Sequence, residues 1–213
     1  RTEDPVPYAQ ALADNPYAGS WSSGGSLNTA RSNQSGFGTQ TSTISAGGYT
    51  TTDVAVVESY NGTSFTEVAD LNSARRGTGS AGSDITAGIT FGGGGGGASP
   101  TENASNESWN GSSWTEVGDL STGRQLITGT GTQTAALAIG GGANPGQAKV
   151  ESWDGSSWTE IADLNQLRNA GAASGLSPSA VFFGGYTTTD VANTENWNGS
   201  SWTEVSDLNT ARS

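Results

Sequence analysis

Apolar positions in this chain fall into short runs, and none recurs with the 3.6-residue period of a helix. The runs at 134–139 and 180–183 are brief, apolar and bounded by Gln133 and Gly140 and by Ser179 and Gly184. That pattern predicts strands. Alternation along a strand puts Trp114 and Val117 of the run WTEV on opposite faces. Both faces are therefore expected to be buried, which requires sheet packed on sheet. Other runs, at 36–38, 77–82, 128–131 and 171–174, consist mostly of small residues. They are predicted to be strands in a place too crowded for large side chains.

The runs repeat. The phrase ESWNGSSWTEVGDL at 107–120 returns as ESWDGSSWTEIADL at 151–164, ENWNGSSWTEVSDL at 195–208 and ESYNGTSFTEVADL at 58–71. Its second aromatic is Phe65, Trp114, Trp158 or Trp202, at steps of 49, 44 and 44 residues, and Trp21 lies 44 upstream of Phe65. Ten residues after each of these aromatics comes Arg31, Arg75, Arg124, Arg168 or Arg212. A Gly pair follows 16 or 17 residues later, opening at Gly47, Gly92, Gly140 or Gly184. Then come Glu58, Glu107, Glu151 and Glu195, each seven residues before its aromatic. A period near 44 residues holds four short strands with their turns. Between the third and fourth strands stand Asn61-Gly62, Asn110-Gly111, Asp154-Gly155 and Asn198-Gly199. Such pairs favour a two-residue type I′ hairpin, which needs positive φ at both positions, and that turn is expected here.

Gly-Gly, Glu-x-aromatic, a second aromatic and a terminal Arg, in this order, resemble the kelch repeat. The resemblance implies an all-β fold: a kelch-like β-propeller of four-stranded antiparallel blades. On this reading 1–16 is an N-terminal extension and 17–213 the propeller, with a partial repeat at 17–31 and full repeats at 32–75, 76–124, 125–168 and 169–212. Kelch propellers usually have more than four blades. The first copy here lacks inner strands and the last stops just after its Arg. The expectation is a ring completed by further chain or by a neighbouring subunit, with an unusually small propeller as the alternative.

Composition narrows the chemistry. Eight Lys and Arg against 20 Asp and Glu leave a net charge of -12, which argues against nucleic acid or an anionic membrane as a partner. His and Cys are absent, which excludes a Ser-His-Asp triad, a Cys nucleophile, a disulfide and an ordinary zinc or copper site. No apolar run approaches the ~20 residues that span a bilayer, and no membrane insertion is expected. Seven Trp, five Tyr and five Phe argue against disorder. Residues 1–20 lack the basic start and apolar core of a signal peptide, so Arg1 reads as a processed terminus or the start of a fragment.

The recurring Arg and Glu are read as structural pairs, because one per blade at a fixed register fits a buried or strand-end role better than a ligand site. The repeat aromatics are read as inter-blade core rather than sugar platforms. Asp70, Asp119, Asp163 and Asp207 also recur once per blade and are read as turn residues rather than Ca²⁺ ligands. The segment 152–158 resembles the sialidase Asp-box but is one residue short between Asp and Gly. The glycine run at 92–97 has neither the following Lys nor the helix of a phosphate loop. Glycosylation sequons at Asn33, Asn61, Asn103, Asn106, Asn110 and Asn198 are weak signals, since turns explain several of them. The connections between Gly pair and Glu are the best binding candidates. Two are almost identical, GGYTTTDVA at 47–55 and 184–192. Tyr49, Asp53, Asn144, Tyr186 and Asp190 are the rim-loop residues expected to meet a partner.

The expected function is that of a non-enzymatic structural or adhesive module. The polar, Cys-free repeats resemble those of phage and marine microbial surface proteins, which implies a virion or other extracellular location. The implied partners are other virion or surface subunits, or a host glycan, within a larger assembly. No catalytic residue, metal or cofactor is expected. The alternative is a secreted bacterial carbohydrate-binding or glycan-processing propeller. An intracellular kelch scaffold for acidic motifs fits poorly, because nearly every Arg has a repeat position and Lys149 is the sole Lys.

Overall fold

The computed structural model describes residues 22–95 and 101–213. Trp21, the extension 1–16 and the start of the partial repeat lie outside the described residues. The described chain is all-β and consists of four antiparallel four-stranded sheets. The first blade is β1 (Ser35–Thr39), β2 (Ser42–Ala46), β3 (Val57–Tyr60) and β4 (Phe65–Glu67). The second is β5 (Gly79–Asp84), β6 (Ala87–Phe91), β9 (Asn106–Trp109) and β10 (Trp114–Val117). Between its middle strands lies a small ribbon, β7 (Gly94–Gly95) with β8 (Thr101–Glu102). The third blade is β11 (Thr128–Thr132), β12 (Ala135–Ile139), β13 (Val150–Trp153) and β14 (Trp158–Glu160). The fourth is β15 (Ala172–Leu176), β16 (Ser179–Phe183), β17 (Thr194–Trp197) and β18 (Trp202–Val205). Each blade is a meander, with neighbours in chain order paired.

The blades stack face on face. The forward face of blade one, Phe37, Ile44, Ala46 and Val57, packs on Trp109 and Trp114 of blade two. Ala81, Ile89 and Phe91 then meet Ala136, Ala138 and Trp153 of blade three. Leu137, Ile139 and Val150 in turn meet Ala180, Phe182, Trp197 and Trp202 of blade four. Within a blade the two aromatics form a tilted pair, with centroids 5.2 Å apart for Trp109–Trp114 and 5.4 Å for Trp153–Trp158. The outer strands are buried less evenly than the alternation predicts: Trp202 is buried while Val205 is 37% exposed.

The first strands β1, β5, β11 and β15 line the inside, and small residues let them approach. A Cβ on Gly129 would stand 2.3 Å from the carbonyl oxygen of Ser80 on the neighbouring blade. Hydroxyls bridge these strands: Thr128 and Thr130 donate to the carbonyls of Gly171 and Gly175, each at 2.7 Å. The Gly pair that closes each second strand needs positive φ, +65° at Gly92 and +99° at Gly93. One repeat interval is 17 residues rather than 16 because β5 carries a bulge, its register slipping by one between Ala81 and Asp84.

Just ahead of each inner strand one residue is left-handed: Asn33 (φ 56°), Gly77 (φ 62°), Leu126 (φ 51°) and Ala170 (φ 52°). They belong to a chain of hydrogen bonds from blade to blade, Gly77 N–H to Asn33 O at 2.8 Å and Ala170 N–H to Leu126 O at 3.0 Å. A Cβ costs energy in this conformation, and Gly77 avoids that cost. Ala170→Gly is therefore expected to raise stability by about 1 kcal/mol and the melting temperature by about 2–4 °C, read by calorimetry.

Candidate functional site

The fixed Arg and Glu positions meet across the seams. Each Arg closes one repeat and reaches the Glu on the third strand of the blade that follows. Arg31 pairs with Glu58, Arg75 with Glu107 at 2.5 Å, Arg124 with Glu151 at 2.8 Å and Arg168 with Glu195 at 2.9 Å. The second carboxylate oxygen accepts a backbone N–H from the same preceding segment: Asn28 at 2.7 Å, Asn72 at 2.8 Å, Ser121 at 2.7 Å and Asn165 at 2.8 Å. Arg124 also donates from Nη1 to the carbonyl of Lys149 at 2.7 Å. Burial pushes the pKa of Arg75, Arg124 and Arg168 down, and the facing carboxylates oppose that shift. Burial disfavours ionised Glu58, but the Asn28 N–H, the Arg31 guanidinium and the Thr29 N–H outweigh it and hold its pKa below the ordinary carboxylate value. These groups are structural latches. Among the described residues Arg212 ends the series without a carboxylate: it is exposed, and its Nε donates to the carbonyl of Thr210 at 3.3 Å.

Two of the recurring Asp residues cap strands. Asp70 accepts the N–H of Val57 and Asp207 that of Thr194, each at 3.2 Å. Among the described residues no group of three or more Asp, Glu, His or Cys could hold a metal ion.

The outer hairpins differ from the expected two-residue type I′ turn. Tyr60 pairs with Phe65 and Trp153 with Trp158, leaving four residues in each loop. The glycine alone takes positive φ, +91° at Gly62 and +94° at Gly155. Asn61 and Asp154 instead turn the chain with their side chains. Asp154 Oδ1 accepts the N–H groups of Ser156 and Ser157 and the Ser156 hydroxyl, at 2.8, 2.8 and 2.7 Å. The Ser156 hydroxyl, with the two N–H groups, lowers the Asp154 pKa from 3.8 to about 2. A depressed folded pKa stabilises above the unfolded value and loses that contribution as pH falls. The Asp154 turn should therefore weaken between about pH 4 and pH 2. Asn110 and Asn198 make the same amide contacts without titrating. Asp154→Asn is expected to leave the melting temperature at neutral pH unchanged and to reduce its fall in acid, measured as melting temperature against pH.

The rim loops join β2 to β3 and their counterparts in each blade. Tyr49 and Asp53 stand over blade one, Asn144 over blade three, and Tyr186 and Asp190 over blade four, so the five form three patches rather than one pocket. The twin loops fold alike. Tyr49 N–H donates to Ser32 O and Tyr186 N–H to Asn169 O, both at 2.8 Å, and Val54 and Val191 close the loops on Gly48 and Gly185, both at 2.9 Å. Both tyrosines are half-buried and Asn144 is exposed. Arg76 went unnoticed in the sequence. Its guanidinium lies 4.3 Å from the Tyr49 ring centroid, and its Nε is 3.4 Å from Asp53. The available signal was an Arg doublet, with Arg76 off the repeat register beside Arg75. At the matching place in blade four, the Ser213 hydroxyl donates to Asp190 at 2.8 Å. Glu102 of the ribbon accepts the Ala143 N–H at 2.7 Å, tying two neighbouring loops together.

The inner strands also surround an axial cavity of about 340 Å³. Residues 36–38, 80–82, 129–131 and 173–175 line it with backbone, glycine and hydroxyl groups and no charged side chain. Fold and site together define an all-β, propeller-like protein whose blades are latched seam by seam and carry pre-shaped loops on one rim. No protein-family model and no curated protein sequence matches the chain.

Proposed function

We propose that the chain is a non-enzymatic adhesive module of kelch-repeat type on a virion surface, such as a phage tail or fibre. Its rim loops bind a host glycan or another virion subunit. The observation that carries this reading is the pair of twin loops. The same nine residues, GGYTTTDVA, take the same internal hydrogen bonds on two blades, which supplies two copies of one ready-made contact. Pre-shaped loops lower the ordering cost of binding. A tyrosine offers a flat face and a hydroxyl to a sugar or a protein surface, and two copies give avidity when both engage.

The test is a glycan array together with pull-downs from disrupted host surface and from other virion components. Tyr49→Ala or Tyr186→Ala alone should cut the avidity, and the double variant should abolish binding while the melting temperature holds. Absence of any partner, with robust hydrolysis of a polysaccharide, would refute the reading and favour a glycan-processing propeller.

A further inference from the structure

The forward face of blade four is built like the three that are covered, yet among the described residues nothing covers it. Leu176 on β15 is 55% exposed, and Val181 and Phe183 on β16 are only half-buried, whereas the equivalent Leu137 and Ile139 of blade three are sealed at 0%. An apolar cavity of about 200 Å³ lies between Phe183 and Arg212. At this edge the latch is also open. Its segment Leu208-Asn209-Thr210-Ala211-Arg212 has the same five residues as Leu27-Asn28-Thr29-Ala30-Arg31, which already occupies Glu58.

We infer that this face and its LNTAR latch receive blade one of a second copy of the chain, with Arg212 taking the place of that copy's Arg31 on Glu58. Three considerations select this occupant. Exchange of one LNTAR for another replaces the ion pair and the Asn N–H bond one for one, so burial of the blade-four face is the net gain. The backward face of blade one carries the aromatic pair that fills the other seams, Tyr60 and Phe65 with centroids 4.7 Å apart. The chain's own blade one does not serve. Its inner strand β1 does not pack side by side with β15 as the other neighbouring inner strands pack with one another. The contact is head-to-tail and builds a ring or a filament.

The rim loop of blade four is tied to the latch through backbone bonds, Gly185 N–H to Arg212 O and Arg212 N–H to Val191 O, which Arg212→Glu leaves in place, so ligand binding and self-assembly are read separately in that variant. The full chain is examined by light scattering and native mass spectrometry across a wide concentration range. Concentration-dependent assembly is expected. Arg212→Glu should weaken it about thirtyfold or more, because a buried pair loses one partner. Arg31→Ala, which frees Glu58, should strengthen it. A chain that stays monomeric in wild-type and Arg31→Ala forms, or assembly indifferent to Arg212→Glu, overturns the proposal. So does a monomer whose melting temperature falls in Arg212→Glu, since its seam would be closing within one chain.

Discussion

Arg124→Ala is expected to destabilise the protein by about 3–5 kcal/mol, read as a shifted midpoint in urea or guanidinium. The guanidinium side chain is wholly buried, as is its partner Glu151. Removing it strands a carboxylate that keeps the Ser121 N–H but loses its cation. It also removes the bond to the Lys149 carbonyl, so two blades lose contact at one point. The loss comes from the uncompensated charge more than from the pair's own attraction. Replacing both partners by Met should consequently cost far less than the single Ala variant. An exposed pair of the same kind would contribute little. The contrast is available within this molecule, because Lys149 and Glu160 form a partly exposed pair at 2.7 Å.

Trp153→Ala is expected to cost about 3–5 kcal/mol as well, by a different route. The indole is 3% exposed and belongs to the core that joins blades two and three, with Ile89 and Phe91. Its Nε1 donates to the Gln133 carbonyl at 2.9 Å. Truncation leaves a cavity between sheets and an unpaired carbonyl. Trp153→Phe restores most of the apolar area but not the donor, so its cost should fall well below that of Ala. The difference between the two variants separates packing from hydrogen bonding, and both are measured by the same denaturation series.

Much of the architecture was legible because each repeat marker corresponds to a contact made once per seam. Trp109, Trp153 and Trp197 recur because each blade presents aromatics to the sheet behind it. The small inner strands could be read from composition alone, since close backbone approach leaves no room for Cβ atoms at positions such as Gly129. The partner of each Arg was harder to read. Arg75 and Glu58 fall in the same repeat, but Arg75 pairs with Glu107 of the next, and a period by itself does not distinguish the two. The hairpin type is not fixed by the dipeptide, because Asn-Gly also suits a four-residue loop in which the Asn side chain, rather than its backbone, makes the turn. The role of Arg76 is not written in the sequence, because it depends on Tyr49 and Asp53 in another loop. The axial cavity has no sequence signal, because backbone atoms form much of its wall.

Consecutive repeats form separate sheets locked together by a buried charge pair across each seam. A double-mutant cycle on Arg124 and Glu151, each changed to Met alone and together, measures that lock. The structure predicts a coupling of about 3 kcal/mol or more between residues of adjacent blades, because each single change strands a buried charge that the double change removes. Additive single-site costs, with no coupling, would contradict it.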